Sequence, residues 1–304
     1  MKKDHNIPYK FNSLTDFHKM FGLPKPVHPL VSFIDIKDMN YEASDLPESF
    51  ILNFYKIAFK TNLCGKAKYG QHYYDFGEGG LVFTAPGQVF ESPDGSSTSG
   101  YILLVQPDFF LSYPLLNTIR QYGFFSYAAN EALHLSDKER EIIIVLFKVI
   151  NDELHSRIDD FSQDVIVSQI DLLLTYSNRF YKRQFITRKA INNSLLQKVE
   201  EVLDNYFDNE ASLKQSIPTV QYLADQTNLS ASYLSDMLRS LTGQNAQHLI
   251  HHKLVEKAKE ILSTSDLSVS EIAYQLGFEY PQSFSRLFKT KITISPTEFR
   301  QSLN

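Results

Sequence analysis

One stretch of this chain occurs twice, and that repeat restricts the fold more than any other feature. The first copy, VQYLADQTNLSASYLSDMLRSLTG, runs from 220 to 243, and the second, VSEIAYQLGFEYPQSFSRLFKTKIT, from 269 to 293. Val220 aligns with Val269, Leu223 with Ile272, Ala224 with Ala273 and Gln226 with Gln275, all at an offset of 49. One extra residue enters the second turn, after which Leu234, Met237 and Leu238 align with Phe284, Leu287 and Phe288 at an offset of 50. Each copy reads as a short helix, a tight turn and a second helix. Asn228 and Gly277 align at the turn, and both types tolerate the left-handed backbone that stops a helix abruptly. Ala224 and Ala273, one turn earlier, leave room for two helices to approach closely.

The second helix of each copy has an apolar stripe and a polar face at helical spacing. Leu234, Met237, Leu238 and Leu241 form the inward stripe of the first; Ser232, Ser235, Asp236 and Arg239 face out. In the second copy Phe284, Leu287 and Phe288 point in, while Gln282, Ser283, Arg286 and Lys289 face out. Such a face suits the major groove, where Arg pairs with guanine edges, Gln with adenine, and hydroxyls with bases or phosphate. A polar helix face is more often merely solvated, so one copy alone decides little; two copies in register do. The copies are joined by an amphipathic helix from about Ala246 to Leu262, with Leu249, Ile250, Leu254, Ala258, Ile261 and Leu262 inward. A rigid connector of that length suits two helices in successive major grooves, about 34 Å apart on B-DNA. Ser268 with Glu271, and Ser295 with Pro296 and Glu298, supply start signals for the fourth helix and for a last short one.

Charge gives limited support to a nucleic-acid partner. The chain carries a net charge of −5, whereas a basic patch is the usual footprint. Residues 191–304 hold ten Lys and Arg against thirteen Asp and Glu, but from Asn228 onward the balance is eight against seven. DNA contact therefore depends on where a few cations sit. The opening MKKDHNIPYKFNSL lacks the apolar middle of a secretory signal, which leads to a cytoplasmic expectation. The longest apolar run, Ile142 to Phe147, is six residues, against about 20 for a membrane helix. Cys64 is the single cysteine, so neither an intrachain disulfide nor a multi-cysteine zinc site is expected.

The first 110 residues alternate β-rich runs with turn signals: VSFIDI at 31–36, ILNFYKIAF at 51–59, LVFTA at 81–85 and YILLV at 101–105. This spacing suggests a compact barrel or sandwich. After Pro114 the period becomes helical. Ile142, Ile143, Leu146, Val149, Ile150 and Leu154 form one face, then Phe161, Val165, Ile166, Ile170, Leu173, Leu174 and Phe180 another. The resulting helical hairpin, 139–182, either pairs with that of a second chain or packs on its own β domain. YKRQFITRKAINNS at 181–194 has no clear period and reads as a linker. The expected organisation is α+β: a β-barrel domain at 1–182 that includes the hairpin, a linker at 183–195, and an all-α domain at 196–304 with helix-turn-helix units at 220–243 and 269–293.

SVSEIAYQLGFEYPQSFSRLFKTKITISPTEFR at 268–300, with KLVEKAKEIL at 253–262 upstream, resembles the C-terminal signature of the AraC/XylS family of transcription regulators. The resemblance covers roughly 100 residues. It implies an all-helical domain with both second helices in the major groove, Gln282, Ser283 and Arg286 facing bases in one unit and Ser232, Ser235 and Asp236 in the other. Three departures stand out. Thr293 occupies a position where the family often has glycine, so that helix is expected to close differently. Tyr280 replaces the usual Asp or Asn before Pro281, weakening the helix start. Asp236 either accepts from cytosine or repels phosphate, which makes the first unit the weaker contributor. More faintly, GGLVFTAPGQVF at 79–90 and YILLVQPDFF at 101–110 are similar to the cupin-like barrel that many members use for effector binding and dimerisation.

The expected function is therefore a sequence-specific transcription regulator, an activator by family type, with double-stranded DNA as partner. A small-molecule effector, a homodimer through 139–182 and RNA polymerase are candidate partners. Tyr69, Tyr73, Tyr74 and Phe76 are candidate effector-pocket residues, although alternating strand aromatics are more often core. A cupin-type metal enzyme is the first rival; His72 is the only histidine between His28 and His134, too few for a three-histidine site. His251 and His252, adjacent on the connecting helix, face different directions and make a poor metal pair. No cofactor, metal or catalytic residue is expected. A DNA-binding architectural protein without ligand control is the second rival.

Overall fold

The computed structural model describes residues 8–303 apart from 43, 45, 62, 70–71, 77–78, 92–98, 129–130, 158, 188 and 209–215, with the side chains of 63–69, 72–76, 90–91, 189–191 and 208 also outside the description. It divides into two compact units, Met1–Gln184 and Phe185–Asn304.

The first unit contains strands β1 (Tyr9–Phe11), β2 (Val31–Asp35), β3 (Ser49–Leu52), β4 (Tyr55–Lys60), β5 (Leu63–Tyr69), β6 (His72–Phe76), β7 (Gly80–Thr84), β8 (Val89–Glu91), β9 (Gly100–Val105) and β10 (Leu133–His134). They form a five-stranded antiparallel sheet ordered β10-β7-β4-β9-β2, a three-stranded sheet β1-β3-β8 and the two-stranded β5-β6 hairpin. β1 runs parallel to β3, and β3 antiparallel to β8. Among the described residues no pairing closes these sheets into one barrel, so the supported class is mixed α and β, with the barrel unconfirmed. The run at 51–59, read as one strand, is two: Asn53 and Phe54 separate β3 from β4, and Phe54 is fully buried.

Strand alternation gives β4 two different faces. Ala58 joins Phe11, Leu14, Phe17, Phe21, Ile34, Phe50, Leu52, Phe54, Ile102 and Leu104 in a core cluster that includes helix α1 (Leu14–Met20). On the other face Tyr55, Ile57 and Phe59 are buried. Tyr55 there meets Phe125 at 5.1 Å between ring centroids, while Phe83 of β7 meets Phe124 at 4.5 Å. Gly100 allows β9 to approach β4: its φ is +139°, and a Cβ would lie 2.1 Å from the Phe59 carbonyl oxygen.

After α2 (Leu115–Thr118) come α3 (Asp137–His155) and α4 (Ser162–Thr187). A capping box of Ser136 and Glu139 starts α3. Ile143, Leu146, Phe147, Ile150 and Leu154 of α3 and Ile166, Ile170, Leu173, Leu174 and Phe180 of α4 are buried within the chain. Val149, Phe161 and Val165, expected on those faces, are exposed, as are Val145 and Leu172. The segment at 183–195 is not irregular: α4 runs to Thr187 and α5 (Lys189–Asp208) follows. Its polar residues hide the period, but Phe185 and Asn192 are buried, and the Asn192 amide donates to the Phe185 carbonyl.

The second unit continues with α6 (Val220–Thr227), α7 (Ala231–Thr242), α8 (Ala246–Thr264), α9 (Val269–Gln275), α10 (Pro281–Ile292) and α11 (Pro296–Ser302). α8 packs against α5, α6, α7, α9, α10 and α11 through Ala246, Ile250, Leu254, Val255, Ala258, Ile261 and Leu262, all buried. Leu249, expected inward, is half-buried. Arg300 of α11 donates from Nε to the Leu262 carbonyl at 3.2 Å, tying the last helix to the connector. Among the described residues no helix is long and apolar enough to cross a membrane, and no group of three His, Cys, Asp or Glu is arranged to hold a metal.

Candidate nucleic-acid interface

The two helix-turn-helix units close their first helices by the same hydrogen bond. Asn228 has φ 55° and Gly277 φ 83°. The next amide reaches back five residues in each case, Leu229 N–H to the Ala224 carbonyl at 3.0 Å and Phe278 N–H to the Ala273 carbonyl at 2.9 Å. This is the Schellman pattern, with the apolar residue after the left-handed one turned inward; Leu229 and Phe278 are both buried. α6 starts on Thr219, whose hydroxyl accepts from Tyr222 N–H, and α9 on the Ser268–Glu271 capping box.

The second helices, α7 and α10, are each 12 residues long. Ser230 caps α7 by accepting from Tyr233 N–H at 3.2 Å. Tyr280 provides no side-chain cap to α10, which relies on Pro281 at its first position. The far ends are alike. Gly243 (φ 75°) bonds the Arg239 carbonyl, and Thr293 (φ 71°) bonds the Lys289 carbonyl. The expectation that Thr293 forces a different closure is thus corrected: the threonine takes the glycine conformation.

The inward stripes are Leu234, Met237 and Leu238 in α7 and Phe284 and Phe288 in α10, whose two rings lie 5.8 Å apart. Leu287 and Leu241 are half-buried. Tyr233, not assigned from the sequence, is also buried and meets the Phe185 ring edge-on at 5.1 Å.

The outward faces differ between the units. On α10, Gln282, Ser283, Arg286 and Lys289 are all exposed, and Lys291 follows them. On α7, Ser232, Ser235 and Asp236 are half-buried, and exposed Arg239 donates to Asp236 at 3.1 Å. One of the few cations on this face is therefore paired within its own helix. Tyr274 and Tyr280 are large exposed side chains beside the second unit that sequence reasoning did not assign to a site. On α8, His251 is half-buried and lies 2.8 Å from the Gln247 amide; burial, then Lys291 and His248, hold its pKa below the usual imidazole range. His252 faces away, near Glu256.

The candidate pocket residues Tyr69, Tyr73, Tyr74 and Phe76 fall on β5 and β6, where the backbone is described but the side chains are not. The side chains of Cys64 and His72 lie in the same undescribed set.

Residues 223–302 match the family model of a helix-turn-helix domain. The chain is 31% identical over 117 residues to the HTH-type transcriptional activator RhaS of Salmonella arizonae, covering 35% of this chain and 42% of that one. It is 22% identical over 139 residues to Histidine kinase P4 of Formosa agariphila, covering 45% of this chain but 10% of the kinase. The chain thus spans less than half the length of either relative. Among solved structures it is similar to the C-terminal domain of the two-component response regulator yesN from Fusobacterium nucleatum, at 35% identity over 33% of this chain and 96% of that one, with a TM-score of 0.29.

Proposed function

We propose that this chain, whose C-terminal region is a helix-turn-helix domain of the AraC/XylS type, is a cytoplasmic, sequence-specific regulator of transcription rather than an enzyme. One observation carries the reading: two helix-turn-helix units whose helices end in the same left-handed geometry, held by the single helix α8, each present a 12-residue helix with a polar outer face. In α10, Gln282, Ser283 and Arg286 read base edges, and Lys289 contacts phosphate where the helix leaves the groove. In α7, Ser232, Ser235, Asp236 and Arg239 face DNA but bind it more weakly, because Asp236 neutralises Arg239. The likeness to a transcriptional activator of Salmonella arizonae favours activation, with RNA polymerase as the further partner.

The first unit serves control and assembly in this reading, with 1–182 as its extent, 183–195 as the joint and 196–304 as the DNA-binding domain. A small effector binds there, and a second chain pairs through the hairpin. Supporting the pairing, Val145, Val149, Phe161, Val165 and Leu172 remain exposed on α3 and just before and along α4, although Ile143, Leu146, Ile150, Leu154, Ile166, Ile170, Leu173 and Leu174 of the same helices are buried. Selection of bound duplexes from a random-sequence pool by the full chain tests the function. Recovery of a shared motif supports it; enrichment of none would leave only non-specific DNA binding.

A further inference from the structure

A cavity of about 330 Å³ opens in the first unit beside the start of β4, on the sheet face away from the core cluster. Tyr55, Ala85, Pro86, Pro107, Ile119, Arg120, Tyr122, Phe125 and Ser126 line it. Its size is at the lower end of ligand pockets, which run from roughly 300 to 1,000 Å³. Part of the wall is rigid and apolar: two prolines, buried Ile119, and the Phe125 ring packed edge-on against Tyr55. Two groups break that pattern. The Tyr55 ring is buried at the start of β4, and the Arg120 guanidinium lines the same cavity, close enough to favour the phenolate form. Burial pushes the Tyr55 pKa up, and the arginine only partly offsets this, so the phenol keeps its proton and remains a donor.

We propose that this cavity is the effector site and that it takes a small organic carboxylate with a compact apolar body. The proposal rests on the reading of the first unit as a ligand-binding domain. A guanidinium has five N–H donors in a planar fork, and Arg120 on the cavity wall can offer an edge of that fork to a carboxylate. The Tyr55 O–H, its proton retained, can donate to the same anion. Pro86, Pro107, Ile119 and Phe125 then cover the apolar body, while the exposed Ser126 hydroxyl stands at the rim. A neutral analogue loses the charge-assisted contact, and a bare inorganic anion gains nothing from the apolar wall. Tyr69, Tyr73, Tyr74 and Phe76 are not needed for this site.

Isothermal titration of the full chain with phenylacetate, hexanoate and the neutral phenylacetamide is the test. Expected is one-to-one binding of at least one carboxylate, at least tenfold tighter than the amide, and at least tenfold weaker in Arg120→Gln and several-fold weaker in Tyr55→Phe, with both variants melting as the parent does. Comparison of the carboxylate with its amide on the unaltered protein needs no variant. Equal affinity for acid and amide, unchanged affinity in Arg120→Gln, or no saturable binding of either acid would overturn the proposal. Operator binding, measured on the same preparations without ligand, reports separately on the DNA-binding reading.

Discussion

Gly243 and Thr293 end α7 and α10 in the same left-handed conformation, with φ of 75° and 71°, and each bonds the carbonyl four residues back. A β-branched residue pays a steric cost there that glycine avoids. Thr293→Gly is therefore expected to raise unfolding free energy by about 1 kcal/mol, allowing for the greater chain entropy of glycine. Gly243→Thr should lower it by a similar amount, since nothing lies within 4 Å of the position of a Cβ and only the backbone angle is at issue. Urea unfolding of both variants checks this, and a destabilised Thr293→Gly would show that the threonine side chain contributes more than the strain costs.

The Arg239–Asp236 pair makes a second, separable expectation. Asp236→Asn should free Arg239 for phosphate, raise affinity for operator and non-operator DNA alike, and steepen the salt dependence by about one counterion. Fold stability should change by only a few tenths of a kcal/mol, because exposed ion pairs contribute little. Titrations at several salt concentrations decide it. Loss of affinity confined to operators with cytosine at one position would assign Asp236 a base-reading role instead.

His18 gives the first unit an acid-sensitive contact. Its Nε2 lies 2.7 Å from the Ser32 hydroxyl, and its Nδ1 bonds the Pro24 carbonyl. Burial holds its pKa below the ordinary 6.5, with the Pro24 bond opposing this in part. The unfolded chain thus takes up a proton at higher pH than the native one, so this group removes stability as pH falls through about 6.5 and leaves it intact above. Thermal unfolding between pH 7.5 and 5.5 should show a shallower decline in His18→Gln than in the parent. Parallel declines would remove His18 from the cause.

The apolar side chains left exposed on α3 and α4 bear on assembly. Leu172→Glu with Val145→Glu should convert a dimer to a monomer in sedimentation while leaving the melting temperature nearly unchanged, since both positions are already exposed. A parent chain that sediments as a monomer would sink the pairing.

What was legible in the sequence was local. Asn228 with Gly277, Ala224 with Ala273 and the two capping boxes at Ser268 and Ser295 depend on neighbours within five residues, and the repeat alignment and the Ser-x-x-Glu spacing exposed them. Tyr233 escaped because its ring partner, Phe185, lies 48 positions earlier, in a segment whose polar residues conceal its helical period. The strand β1 owes its form to parallel pairing with β3, which no short-range signal announces. The break at Asn53–Phe54 was hidden because 51–59, ILNFYKIAF, reads as one β-rich run with no Gly or Pro to punctuate it. Arg120 and Tyr55, 65 positions apart, meet only through the fold, so the cavity they share had no sequence signature.

The central claim, that α10 reads bases with its first two turns and holds phosphate with its last, is tested most directly by Arg286→Ala and Lys289→Ala titrated against operator and singly mismatched duplexes at several salt concentrations. Both side chains are exposed on the same helix, less than one turn apart. Expected for Arg286→Ala is a loss of about 1–3 kcal/mol on operator with relaxed preference at one base pair. Expected for Lys289→Ala is a loss similar for every duplex and a salt slope reduced by about one. If Arg286→Ala lost affinity equally for all sequences, the placement of α10 in the major groove would be contradicted.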